Sequence, residues 1–148
     1  MITAGIVTVA AVAFTLVSAS SASAAVLTDR FQLAGTHSCL EGGIGGGISD
    51  VRLATCASGD RQLWRWSTPS TQTSLRHVGT GTCAHRLRAS VGLSGCGAAV
   101  AQRWRVTGTP DNLLIRAADT GQCLGRTGAG RVGMSVCDGT AAQRWQRA

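Results

Sequence analysis

Lysine and tyrosine are absent from this sequence, glutamate occurs once and proline twice. So little proline excludes a collagen-like chain or a Pro/Gly-rich disordered one, although glycine reaches 20. Aromatic residues make up only 4%: Trp64, Trp66, Trp104, Trp145, Phe14 and Phe31. No two of the 6 cysteines form a C-x-x-C pair, which argues against a zinc site or a thioredoxin-like redox site. What is present is arginine. All 14 basic residues are Arg, and against 7 acids they leave a charge of +7. With 44% hydrophobic and 14% charged residues among 148, the chain has the material for one folded domain.

Residues 1–28 carry no charged side chain; the first is Asp29. Ile2 to Val17 is an apolar run interrupted only by Thr and one Gly, and Ser18, Ser20, Ser21 and Ser23 end it. A membrane-spanning helix needs about 20 apolar residues, so the run is short for one. Ala22-Ser23-Ala24 has the small-x-small form that signal peptidase cuts, although no Lys or Arg precedes the apolar run. The reading is a signal peptide over 1–24, a mature domain over 25–148, and secretion, with a membrane anchor as the alternative. Export makes disulfides available to the 6 cysteines.

The mature part repeats three times. Gln62-Leu63-Trp64, Gln102-Arg103-Trp104 and Gln143-Arg144-Trp145 are in step with Cys56, Cys96 and Cys137, and with Val51/Leu53, Val91/Leu93 and Val132/Met134. A first cysteine opens each unit: Cys39, Cys83 and Cys123. Val51 and Leu53 alternate with Arg52 and Ala54, the period-2 pattern of a strand with one buried face. The same alternation puts Gln and Trp of each Gln-x-Trp on one inward strand face. No sustained helical periodicity occurs, so an all-β form is expected, closed so that strand edges are not left exposed.

On these residues the chain resembles the ricin-B-type lectins over about residues 31–147. The resemblance implies a β-trefoil of twelve strands, with lobes at about 31–70, 71–110 and 111–148. The repeat then favours one disulfide per lobe: Cys39–Cys56, Cys83–Cys96 and Cys123–Cys137. The residues Gln62, Gln102 and Gln143 with Trp64, Trp104 and Trp145 are expected to carry folding, the rings filling the lobes and the amides satisfying loop backbone groups.

The resemblance also implies a sugar pocket in each lobe, built from an Asp after the first Cys, an aromatic and a Gln before the second, and an Asn beside Gln-x-Trp. Every position departs from that recipe. The Asp places hold Glu41, His85 and Gly125; the aromatic places Ala54, Ser94 and Ser135; the Gln places Arg52, Gly92 and Gly133; the Asn places Arg61, Ala101 and Ala142. Only Glu41 keeps a carboxylate. The candidate contact residues that remain are Glu41, Arg52, Arg61 and Trp66 in lobe one and His85 in lobe two. Trp66 reads either as core or as a rim ring for stacking. His77, His85, Arg86 and Arg88 make a basic stretch, read as a solvated face or an anion-attracting cluster.

For catalysis the sequence offers little. No two carboxylates are shown to face one bond, no nucleophile-elbow motif occurs, and the run Gly42-Gly43-Ile44-Gly45-Gly46-Gly47 matches no nucleotide-binding pattern. His37, His77 and His85 have no metal spacing. The expectation is a non-catalytic carbohydrate-binding protein without cofactor or metal, whose partner is a glycan or an anionic cell-surface polymer. Nucleic acid and membrane are not expected partners. The alternative is a degenerate trefoil acting as a protein-interaction or structural module.

Overall fold

Each Trp of the Gln-x-Trp motifs opens a strand, and from these three strands the architecture can be built. The structure, a computed structural model, describes residues 23–43, 45, 51–68 and 72–148. Residues 1–22 of the segment read as a signal peptide lie outside the described residues, as do residues 44, 46 and 47 of the glycine-rich run. The strands are β1 (Ala25–Asp29), β2 (Phe31–Leu33), β3 (Ser38–Gly42), β4 (Val51–Thr55), β5 (Trp64–Thr68), β6 (Arg76–His77), β7 (Cys83–Arg86), β8 (Val91–Ser94), β9 (Trp104–Thr109), β10 (Asn112–Ala117), β11 (Cys123–Gly128), β12 (Arg131–Ser135) and β13 (Trp145–Arg147). Three short 3-10 turns, Asp60–Gln62, Val100–Gln102 and Ala141–Gln143, are the only helical elements among the described residues.

The motif strands pair on both sides. Trp64 lies opposite Asp29 and His77, Trp104 opposite Ala117 and Thr73, and Trp145 opposite Leu33 and Leu113. Two runs result, β1–β5–β6 and β2–β13–β10–β9; they meet at the break between β1 and β2 and at the bridge of Thr73, just before β6, to Trp104, which completes a ring. Such closure reduces exposed strand edge. The resemblance implied twelve strands, whereas thirteen are found among the described residues. The difference lies at Arg30, where one barrel strand breaks into β1, which pairs with β5, and β2, which pairs with β13.

Three hairpins, β3–β4, β7–β8 and β11–β12, cap one end of the barrel. A disulfide closes each: Cys39–Cys56, Cys83–Cys96 and Cys123–Cys137, as the repeat favoured. Loops of this length give about 3 kcal/mol per bridge when the gain is attributed to restriction of the unfolded chain.

The core sits where barrel and cap meet. Trp64, Trp104 and Trp145 are wholly buried, and their ring N–H groups donate to the carbonyls of Leu40, Ala84 and Leu124 at 3.0, 3.1 and 2.9 Å. Each acceptor follows the first cysteine of its lobe, so each Trp fastens a barrel strand to its own hairpin. Phe31 of β2, Leu75 just before β6 and Ile115 of β10 are also fully buried.

The Gln-x-Trp expectation needs one correction. Gln and Trp are both buried, but they do not share a strand face, because each Gln ends a 3-10 turn and only the Trp enters the strand. The turn aims the Gln amide sideways into the loop after the second cysteine. There its oxygen accepts from the backbone N–H of Ala57, Gly97 or Asp138, and its nitrogen donates to the carbonyl of Thr55, Gly95 or Val136. The residues that carry these backbone groups are exposed, so the buried amide pins the chain on both sides of the second cysteine from inside.

Candidate functional site

The cap hairpins put the three candidate lobe positions at equivalent places, and their contents differ. In lobe one, register sets Glu41 opposite Arg52 across β3–β4. Arg52 donates from Nε and Nη2 to Glu41 Oε1 at 3.2 and 2.9 Å, and Gln62 Nε2 donates to Oε2 at 2.9 Å. Burial pushes the Glu41 carboxyl upward. The hydrogen bonds from Gln62 and Arg52, with the charges of Arg52 and Arg61, outweigh it and hold the group below its ordinary value. Glu41 is only 8% exposed, so both its oxygens are spent on the protein.

In lobe two, His85 is half-buried, with Nδ1 3.3 Å from Ser94 Oγ. Ser94 Oγ accepts in turn from Gln102 Nε2 at 2.7 Å. Lobe three is closed by backbone. A Cβ on Gly125 would lie 2.5 Å from the Ala142 carbonyl oxygen and 2.8 Å from Gln143 Cγ. No side chain fits at the position where the family recipe places its carboxylate.

Trp66 belongs to the core. It is 5% exposed, tilted against Phe31 at 5.9 Å, with the Arg147 guanidinium 5.8 Å from its ring centre. Its N–H donates to Asp29 Oδ2 at 2.8 Å, and Arg147 donates to Asp29 Oδ1 at 3.0 Å. Of the two readings of this residue, the buried one holds, and no stacking ring lies at the rim. Among the described residues no Trp or Phe side chain is exposed. The structure thus gathers Glu41, Arg52 and Arg61 in lobe one and leaves Trp66 and His85 apart from them.

The basic stretch of lobe two is not a single cluster. His77 is fully buried against Trp64, with ring centres 5.0 Å apart. The Thr80 N–H donates to its Nδ1, so Nε2 carries the hydrogen and donates to the Arg61 carbonyl at 2.9 Å. A Cβ on Gly42 would meet His77 Cδ2 at 3.2 Å, so the glycine-rich run begins as packing around this ring. Arg86 is bound in a two-point pair to Asp119, which lowers the Asp119 carboxyl through that hydrogen bond and the guanidinium charge, against a small opposing effect of burial.

What the sequence reading missed is a set of facing arginines. On the outside of the barrel, Arg65 lies opposite Arg76 and Arg105 opposite Arg116, all exposed. The third equivalent pair is Gln146 opposite Gln32. The residue after each motif Trp, Arg65, Arg105 and Gln146, was the available signal, but its partner strand could not be read from the repeat. The ion pairs among the described residues are Arg52–Glu41, Arg86–Asp119 and Arg147–Asp29, and none of the four facing arginines takes part. No group of three or more His, Cys, Asp or Glu is gathered as a metal site among the described residues, and no helix there is long and apolar enough to cross a membrane.

Solved structures share this architecture. A designed three-fold symmetric protein, ThreeFoil, superposes with a TM-score of 0.72 at 18% identity, over 82% of this chain and 97% of that one. The hemolytic lectin CEL-III gives 0.70 at 20% identity, over 82% and 30%. The cytolethal distending toxin of Haemophilus ducreyi gives 0.69 at 16% identity, over 82% and 82%. No curated protein matches the sequence. The three Gln-x-Trp turns, the three bridged hairpins and the closed barrel agree with a match to the ricin-type beta-trefoil lectin domain over residues 29–146, and the chain belongs to that family.

Proposed function

We propose that this is a secreted, non-catalytic lectin-like protein that binds an acidic glycan or another anionic cell-surface polymer, through arginines in place of the family's lobe pockets. The observation that carries it is the repeated arginine pairing on the barrel, Arg65 with Arg76 and Arg105 with Arg116. Like charges directly opposite across strands are destabilising. An anion lying between them offsets that repulsion, and two such pairs on neighbouring lobes suit a ligand that repeats its charge. The excess of +7 adds long-range attraction for a polyanion. A neutral sugar finds less: no exposed Trp or Phe for its apolar face, and Glu41 already engaged.

Secretion is supported by the three disulfides, which persist in oxidising compartments. It is also supported by the start of β1 at Ala25, since cleavage after Ala24 leaves that ladder whole. N-terminal sequencing of exported protein checks the cleavage site.

The binding test is a titration of an acidic polysaccharide and of its carboxyl-reduced neutral analogue at low and physiological salt. The expected result is binding of the acidic form only, weakened steeply by salt, because exposed charges are screened over about 8–10 Å. Salt-insensitive binding of lactose would overturn it. The closing of lobe three by Gly125 favours a second reading, a protein-interaction trefoil, which stands if neither polymer binds.

A further inference from the structure

The three cap hairpins meet on the pseudo-threefold axis. There Arg131, opening β12, lies opposite Arg52 on β4, and Ser90, before β8, lies opposite Gly133 on β12. Between them is a depression of about 390 Å³. Its most buried lining residues are Val51, Val91 and Val132, one from each lobe and 8, 3 and 7% exposed, while Arg52, Arg131 and Ser90 stand at its polar side. We propose that this axial depression, which draws Arg52 from lobe one, binds one acidic sugar residue, a hexuronate. The inference rests on the preceding reading and names the acidic unit and a docking place in addition to the barrel arginines.

A pyranose ring has an apolar face and a polar edge, and a hexuronate adds a carboxylate at one end. The three valines offer a surface for the face. Two guanidinium groups on facing strands offer a pocket for the carboxylate, where a charge-assisted hydrogen bond is about twice as strong as a neutral one. Arg52 is already oriented, because Nε and Nη2 are held by Glu41 and its other N–H groups remain. Arg131 is exposed and has no carboxylate partner within 4.0 Å among the described residues. Only lobe one places a cation at the Arg52 position; the equivalents are Gly92 and Gly133. At Gly133 a Cβ would stand 2.4 Å from the Ala89 carbonyl oxygen, so that wall is made of backbone. A near-threefold opening thereby acquires one charged side, which gives a bound ligand a single orientation.

The test is an amide NMR titration of the disulfide-bonded protein with sodium glucuronate, glucose and sodium acetate, repeated on Arg131→Glu, Arg131→Ala, Arg103→Gln and Arg65→Glu. The expected result is that glucuronate alone shifts the amides of Val51, Val91 and Val132. Arg131→Glu and Arg131→Ala should weaken it at least tenfold with the rest of the spectrum unchanged, while Arg103→Gln, which lines neither the depression nor the barrel pairs, stays within twofold. Acetate binding as tightly as glucuronate, shifts clustered elsewhere, or no loss in either Arg131 variant overturns the axial site. Loss of acidic-polymer binding in Arg65→Glu, with no axial response to glucuronate in any form, overturns this inference and leaves the polymer reading in place. An axial response to glucuronate without any polymer binding does the reverse.

Discussion

Gln62 donates its side-chain N–H to the Glu41 carboxylate at 2.9 Å, in the place where Gln102 and Gln143 donate to the hydroxyls of Ser94 and Ser135 at 2.7 and 2.8 Å. Lobe one has Ala54 at the equivalent of those serines. The carboxylate that survives from the family recipe is therefore also the third partner of a structural amide. That bond gives Glu41 a role in folding.

This gives the first prediction, for pH. The folded value of Glu41 lies below its ordinary value of 4.5, so ionised Glu41 stabilises the fold fully above about that pH. The contribution disappears as pH falls through the lowered folded value. Glu41→Gln should cost about 1.5–3 kcal/mol at neutral pH, the range of a hydrogen bond to a charged group. The gap between variant and parent should narrow as pH falls below 4.5 in urea denaturation; a constant gap would show that the charge contributes nothing.

A second prediction concerns the two kinds of Trp. Trp104→Ala should cost about 3–5 kcal/mol or prevent folding, as large-to-small core changes do. Trp66→Ala should fall in the same range, since its ring is buried and its N–H holds Asp29 for Arg147. Chemical denaturation giving under about 1 kcal/mol for Trp66→Ala would place that ring outside the core.

Restoring the missing acid in lobe three should fail. Gly125→Asp is expected to lower stability by about 1–3 kcal/mol through overpacking against the Ala142 carbonyl. Galactose binding should not appear. A stable variant with measurable galactose affinity would mean that the loop yields easily.

The barrel arginines should behave in the opposite sense. Arg105→Glu faces Arg116 with an opposite charge, and thermal unfolding should show a gain of about 0.2–1 kcal/mol. The same variant should bind the acidic polysaccharide more weakly. Lower stability together with unchanged binding would remove the arginine pairs from the function.

Much of this protein was legible in one dimension. Repetition of Cys, Gln and Trp at a common spacing fixed three lobes, one bridge in each, and buried rings at Trp64, Trp104 and Trp145. A repeat reports equivalence within a unit, and hairpin, bridge and Trp anchor are all made within a unit. What the tertiary structure decided lies between units. Trp66 read either as core or as a rim ring, and β1 and β13, bringing Asp29 and Arg147 to it, decided for core. Gly125 looked like an empty pocket until the Ala141–Gln143 turn closed over it. The facing arginines, Arg65 with Arg76, Arg105 with Arg116 and Arg52 with Arg131, depend on which strand edge each lobe presents to the next. Side-chain alternation along a strand tells which face a residue takes, whereas its neighbour across the ladder is set by barrel closure and register, which no single unit encodes.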